Sequence, residues 1–96
     1  MTAGRMTDPS IRALAASAFG RSLRAARLKV GMSQEELAHQ AGLDRTYPSL
    51  LERGCRQPTV GVAFALAAAL RLDPVELITS TAEQIRTMAS NTTLGV

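Results

Sequence analysis

The 96-residue chain reads as all-α. Apolar residues recur at three- and four-residue steps, and no stretch alternates as a half-buried strand does. Alanine is abundant while aromatic residues make up only 3% of the chain, a composition that favours closely packed helices. Five segments are bracketed by residues that start and stop helices. The length supports one domain with one modest core.

The first segment opens at Asp8-Pro9, a cap followed by proline where its missing N–H costs nothing. Ile11, Leu14, Ala15, Ala18, Phe19, Ser22, Leu23 and Ala26 then form one stripe. Gly20 interrupts it, so the segment is either one long helix or two, the second from about Phe19 to Val30, with Gly31 as the stop. Ser33 and Glu36 form a capping box for a short helix, QEELAHQA, that Gly42 ends. Asp44 caps the next helix and Gly54 closes it; Thr59 caps VGVAFALAAAL. Asp73-Pro74-Val75-Glu76 starts the last helix, running through Ile78, Ala82, Ile85 and Ala89. Residues 1–7 are expected to be flexible and the tail NTTLGV disordered.

Formal net charge is +3, carried mostly by arginine, which leans towards a polyanionic partner. Cys55 and His39 are each the only residue of their kind, so neither a disulfide within the chain nor a zinc site is expected, and no cofactor. The apolar run at 60–70 is shorter than the ~18 residues of a membrane span. Ala16-Ser17-Ala18 imitates a signal-peptidase site, but Asp8 and Arg12 interrupt the apolar region before it, so a cytoplasmic protein is expected. No acid–base pair, activated nucleophile or phosphate loop stands at usable spacing, which argues against an enzyme.

The central unit, SQEELAHQAGLDRTYPSLLERG, is helix, glycine-containing turn, helix. So short a turn makes the helices cross steeply; Ala38 lets them approach, and Leu37, Ala41, Leu43 and Leu51 fill the angle. One end of the second helix then projects outwards, shaped for a DNA major groove. From about Phe19 to Ile78 the chain resembles the Cro/lambda-repressor, or xenobiotic-response-element, type of helix-turn-helix regulator. The resemblance rests on SLRAARLKVGMSQEELA, AGLDRTY, ERG, RQPT and an alanine-rich helix closed by LRLDPVELI. GLDRTY followed by S and ERG is similar to controller proteins of restriction-modification systems. The implied organisation is a flexible 1–7, a helical extension over 8–18, a lambda-repressor-like domain over 19–79, and a helical extension and tail over 80–96.

The resemblance implies roles for particular residues. Ser33 and Gln34, with open N–H groups, would sit at a phosphate. Arg45 would pair with guanine O6 and N7, a contact worth about 1–3 kcal/mol of discrimination. Thr46, Tyr47, Ser49 and Leu50 would face bases along the same helix, while Arg53 and Arg56 would meet phosphates or else neutralise the helix C-terminus. In the family an arginine four residues before the first glycine pairs with the glutamate of ERG, here Arg27 and Glu52.

Pro48 departs from the family, which usually has isoleucine or valine there. Proline deletes the N–H that would bond the Asp44 carbonyl. Either the helix keeps its start at Asp44 with a widened first turn, the expectation adopted here, or Thr46 or Tyr47 becomes the cap and the helix shortens to about 48–53. Cys55 stands where basic residues are frequent in the family and reads as a small loop residue.

The family commonly binds double-stranded DNA as twofold dimers on half-sites ~34 Å apart. Phe64, Val75, Ile78, Ile85 and Met88 are candidates for pairing, although they can equally fold onto the core or hold another partner; Ile11 and Leu14 offer a second face. The leading expectation is a homodimeric, nucleoid-associated transcription regulator of bacterial type. Alternatives on the same fold are an antitoxin with a toxin partner and a protein-interaction adaptor that has lost DNA reading.

Overall fold

The computed structural model describes the backbone of residues 9–94. Within it lie five helices and no strand: α1 (Pro9–Val30), α2 (Gln34–Ala41), α3 (Tyr47–Glu52), α4 (Val60–Ala69) and α5 (Pro74–Leu94). The loose 1–7 segment, the Asp8 cap and the last two residues of the expected tail lie outside the described residues.

The alternatives raised by Gly20 resolve into one continuous α1 of 22 residues. A Cβ on Gly20 would stand 2.4 Å from the Leu51 carbonyl oxygen and 2.6 Å from that of Glu52. Glycine is there because the backbone of α3 crosses α1 at this point, not because the helix breaks. The stripe read from the sequence is the packed face: Ala18, Phe19, Ser22 and Leu23 are buried, joined by Ala16, Gly20 and Arg27.

α5 corrects the expected tail. It passes Ala89 and takes in residues 91–94, part of the segment expected to be disordered. No glycine or proline stands between Pro74 and Gly95, and Thr81 donates its hydroxyl to the Leu77 carbonyl at 2.8 Å. A threonine bonded back in this way stays compatible with a helix. At the other end, Val75 N–H reaches Asp73 Oδ1 at 2.9 Å and Asp73 N–H reaches Glu76 Oε1 at 3.1 Å, a cap made by neighbours in sequence.

α1 and α5 are the long antiparallel walls; α3 packs on α1, α4 on α5, and α2 on α3 and α4. The core is a single cluster of Phe19 and Leu23 from α1, Leu37 from α2, Leu51 from α3, Ala63, Leu66, Ala67, Ala69 and Leu70 around α4, and Leu77 from α5. Each helix therefore contributes at least one side chain, and none is positioned by local forces alone.

Candidate nucleic-acid interface

Ser33 caps α2 in both directions: its Oγ accepts from Glu36 N–H at 3.0 Å and its own N–H donates to Glu36 Oε1 at 3.0 Å. This corrects the expectation of an open Ser33 N–H, because the capping box already occupies it. α2 ends at Gly42, whose φ of 70° is left-handed, and Leu43 N–H bonds the Ala38 carbonyl at 2.8 Å. That closure turns the chain sharply into α3. Leu37, Ala38 and Leu51 are buried in the angle, with Ala41 and Leu43 partly buried beside them.

α3 starts later than expected. Its regular turns begin at Tyr47, with Arg45 and Thr46 in the preceding turn. Pro48 has no N–H for the Asp44 carbonyl, so Tyr47 N–H takes that oxygen instead at 3.0 Å, in a tighter turn. Asp44 still anchors the start: its Oδ2 accepts from Thr46 N–H at 3.0 Å and from the Thr46 hydroxyl. Those bonds, the hydroxyl first, pull the Asp44 carboxyl below its usual pKa. Thr46 itself keeps helical angles, φ −87° and ψ −13°, so the turn leads smoothly into α3. Pro48 is fully buried, filling the interior position that an aliphatic side chain has in the family.

The far end of α3 is clamped to α1. Arg27 Nε meets Glu52 Oε2 at 2.6 Å and its Nη2 meets Oε1 at 3.0 Å, a two-pronged pair. The third donor, Nη1, reaches the Met32 carbonyl at 2.8 Å. Gln34 Nε2 adds a bond to Glu52 Oε1 at 3.0 Å, so one carboxylate joins α1, α2 and α3. The hydrogen bonds that Arg27 donates to Glu52 raise its pKa against the opposing effect of burial.

Around this frame the expected site residues divide. Arg45 and Thr46 are exposed at the outer end of the unit, and so are Arg53 and Arg56 at the other. Arg53 Nε lies 3.4 Å from the Ser49 carbonyl, near the C-terminus of its own helix. Tyr47 is half-buried and packs against the core, which leaves only part of it free for the expected base contact. Ser49 and Leu50, expected at exposed positions, are also half-buried. Gln34, tied to Glu52, is held in place rather than free.

One acidic group escaped the sequence reading. Glu35 Oε2 lies 3.8 Å from Arg45 Nη1, with both side chains largely exposed. The two stand ten positions apart, one on α2 and the other in the turn before α3, where no periodicity links them. Among the described residues no cluster of three metal-ligating side chains occurs, and no helix is long and apolar enough to cross a membrane.

On α4 and α5, Phe64, Val75 and Ile78 share an exposed apolar patch, with Val60 beside it. Ile85 and Met88, the other pairing candidates, are half-buried further along α5.

The helix-turn-helix family model matches residues 23–77. The chain is similar to an uncharacterized HTH-type transcriptional regulator, y4dJ, of Sinorhizobium fredii, with 42% identity over 73 residues, 76% of this chain and 90% of that protein. It is also similar to the restriction-modification controller protein C.AhdI from Aeromonas hydrophila: identity is 44%, the TM-score 0.63, and the match covers 65% of this chain and 94% of that one. A further similar structure is the controller C.Esp1396I, solved as a tetramer in complex with its natural 35 base-pair operator. There the identity is 31% and the TM-score 0.68, over 74% of this chain and 93% of that one.

Proposed function

The chain belongs to the helix-turn-helix family, and from that premise we propose that it is a sequence-specific transcription regulator of the controller type. It binds double-stranded DNA as a homodimer, with the outer end of the α2–turn–α3 unit in the major groove. One observation carries this reading: Arg45 and Thr46 project from a turn that is fixed on both sides, by Asp44 before it and by the Arg27–Glu52–Gln34 clamp behind it. A cationic edge on a fixed turn of this kind suits base recognition, because the backbone that carries it needs no ordering on binding.

Arg45 reads a guanine edge and Thr46 packs its methyl or bonds a phosphate. Arg53 and Arg56 hold the flanking phosphates. Glu35 keeps Arg45 near the α2 N-terminus until DNA replaces it as the partner. The homodimer forms through Phe64, Val75 and Ile78, which are 54%, 67% and 51% exposed in the single chain. Ile85 and Met88 extend that surface along α5. Such a protein works in the cytoplasm, on the nucleoid.

The adaptor alternative rests on Pro48 dismantling the reading helix; α3 instead forms around Pro48, with the Asp44 carbonyl satisfied. No observation here favours a toxin partner.

Selection of bound sequences from a random duplex pool at physiological salt tests the proposal. Enrichment of an inverted repeat with half-sites one turn apart is expected, and Arg45→Ala should relax the preference at one position per half-site. A folded protein that enriches nothing overturns the reading.

A further inference from the structure

α1 carries Arg12, Arg21, Arg24, Arg27 and Lys29, and no acidic residue. The rest of the chain has six basic residues against eight acidic, so α1 holds the whole positive excess. Arg27 is committed to Glu52. Arg12 and Arg21 both precede the family match, Arg12 by eleven positions before Leu23, or about 16 Å along the helix axis.

The structure ties this part of α1 to the loop that follows α3. Gln57 Nε2 donates to the Arg12 carbonyl at 2.6 Å. A Cβ on Gly54 would stand 3.1 Å from Ser17 Cα, so the loop backbone lies directly on α1. Arg56, next to Gln57, and Arg12 are both exposed, and neither has an ion-pair partner among the described residues. Two exposed cations are thus carried on segments that the Gln57 bond joins, with Arg53 three positions before Arg56. Positive charge gathered in this way favours a polyanion.

We propose that Arg12 is a DNA phosphate contact, so that the N-terminal part of α1 continues the backbone-binding edge of Arg53 and Arg56 beyond the helix-turn-helix unit. This rests on the DNA-binding reading above. The Gln57 bond sets where α1 lies against the loop, and the long Arg12 side chain reaches from there to the strand. The contact is to a phosphate and not to a base, because Arg12 is tied to the loop that carries Arg56 and not to the turn that carries Arg45.

The test measures affinity of the intact protein for its selected duplex and for a scrambled duplex, from about 50 to about 200 mM salt. Arg12→Gln is compared with Arg71→Gln, which removes the same charge from the α4–α5 turn. Arg12→Gln should weaken both duplexes alike, about three- to tenfold, and make log K against log salt shallower by about 0.9 for each phosphate lost. Arg71→Gln should leave the slope unchanged, and both variants should melt with the wild type. Equal slopes for wild type and Arg12→Gln overturn the proposal, as does an equal flattening by Arg71→Gln, which would mark a net-charge effect. A loss confined to the selected duplex overturns it in favour of base reading. A wild-type protein that binds neither duplex overturns the DNA-binding reading and this proposal together.

Discussion

α2 and α3 are both short, are joined by one turn, and begin in opposite ways. α2 is closed by its own sequence: Ser33 and Glu36 satisfy each other's N–H groups within four residues. α3 has six residues, a proline near its start and no side-chain bond from its Thr46 cap. A helix of that length does not persist in water alone. Its position comes from outside, through the Glu52 clamp, the buried Leu51 and the close crossing of α1 at Gly20. The helix that follows the proposed reading turn is therefore the one whose placement is dictated by tertiary contacts.

Removing the clamp should break this contrast most severely. Glu52→Ala leaves the Arg27 charge and the Gln34 amide without their partner and should lower unfolding stability by about 3 kcal/mol in urea denaturation. A loss well below that would mean the pair holds little of α3. Gly20→Ala forces a methyl into two carbonyl oxygens of α3, and overpacking of this kind costs about 1–3 kcal/mol. Helix propensity alone would make the same change stabilising by up to ~1 kcal/mol, so the sign of the measured shift decides between them.

Pro48→Ile sharpens the comparison. It restores an N–H that competes for the Asp44 carbonyl, with a stability change of about 1 kcal/mol. The regular helix should then reach back towards Arg45, and the selected DNA sequence should change. Unaltered backbone chemical shifts at 45–47 with unaltered selection would show that Pro48 has no such role. Ser33→Ala should cost about 1 kcal/mol through the loss of one cap, while leaving the DNA preference intact because α3 is untouched.

The smallest effect is expected at Asp44, on the surface. Its folded-state pKa lies below the usual 3.8, so its contribution is present above that pH and disappears as the pH falls through the lower, folded value. Asp44→Asn removes the titrating charge. The gap between the thermal midpoints of wild type and variant should therefore shrink on acidification below 3.8. A gap that stays constant with pH would detach the effect from the carboxylate.

The same contrast explains what the sequence could tell. The beginnings of α2, α4 and α5 were legible because the capping residue and the N–H it serves lie within three positions of each other. The start of α3 was not, because it depended on which N–H claims the Asp44 carbonyl once Pro48 cannot. Gly20 read as a weak point in α1, since the carbonyls that exclude a side chain there belong to a distant helix. At the candidate site, Arg45 and Thr46 were legible as exposed polar residues. Tyr47 was not legible as half-buried, because the core it packs against is assembled from distant helices. The Arg27–Glu52 pairing was implied by family resemblance and by no pattern within the chain.

The hydrogen bond between Ser80 and Ser22, 2.9 Å long, joins residues 58 positions apart, whereas Arg27 and Glu52 are separated by 25. Closing the longer loop costs about 0.7 kcal/mol more chain entropy than closing the shorter. During folding, α3 can therefore dock on α1 before α5 does, and the last seam to shut is the one between the two longest helices. The turn proposed to read DNA then rests on the contact with the shorter loop to close.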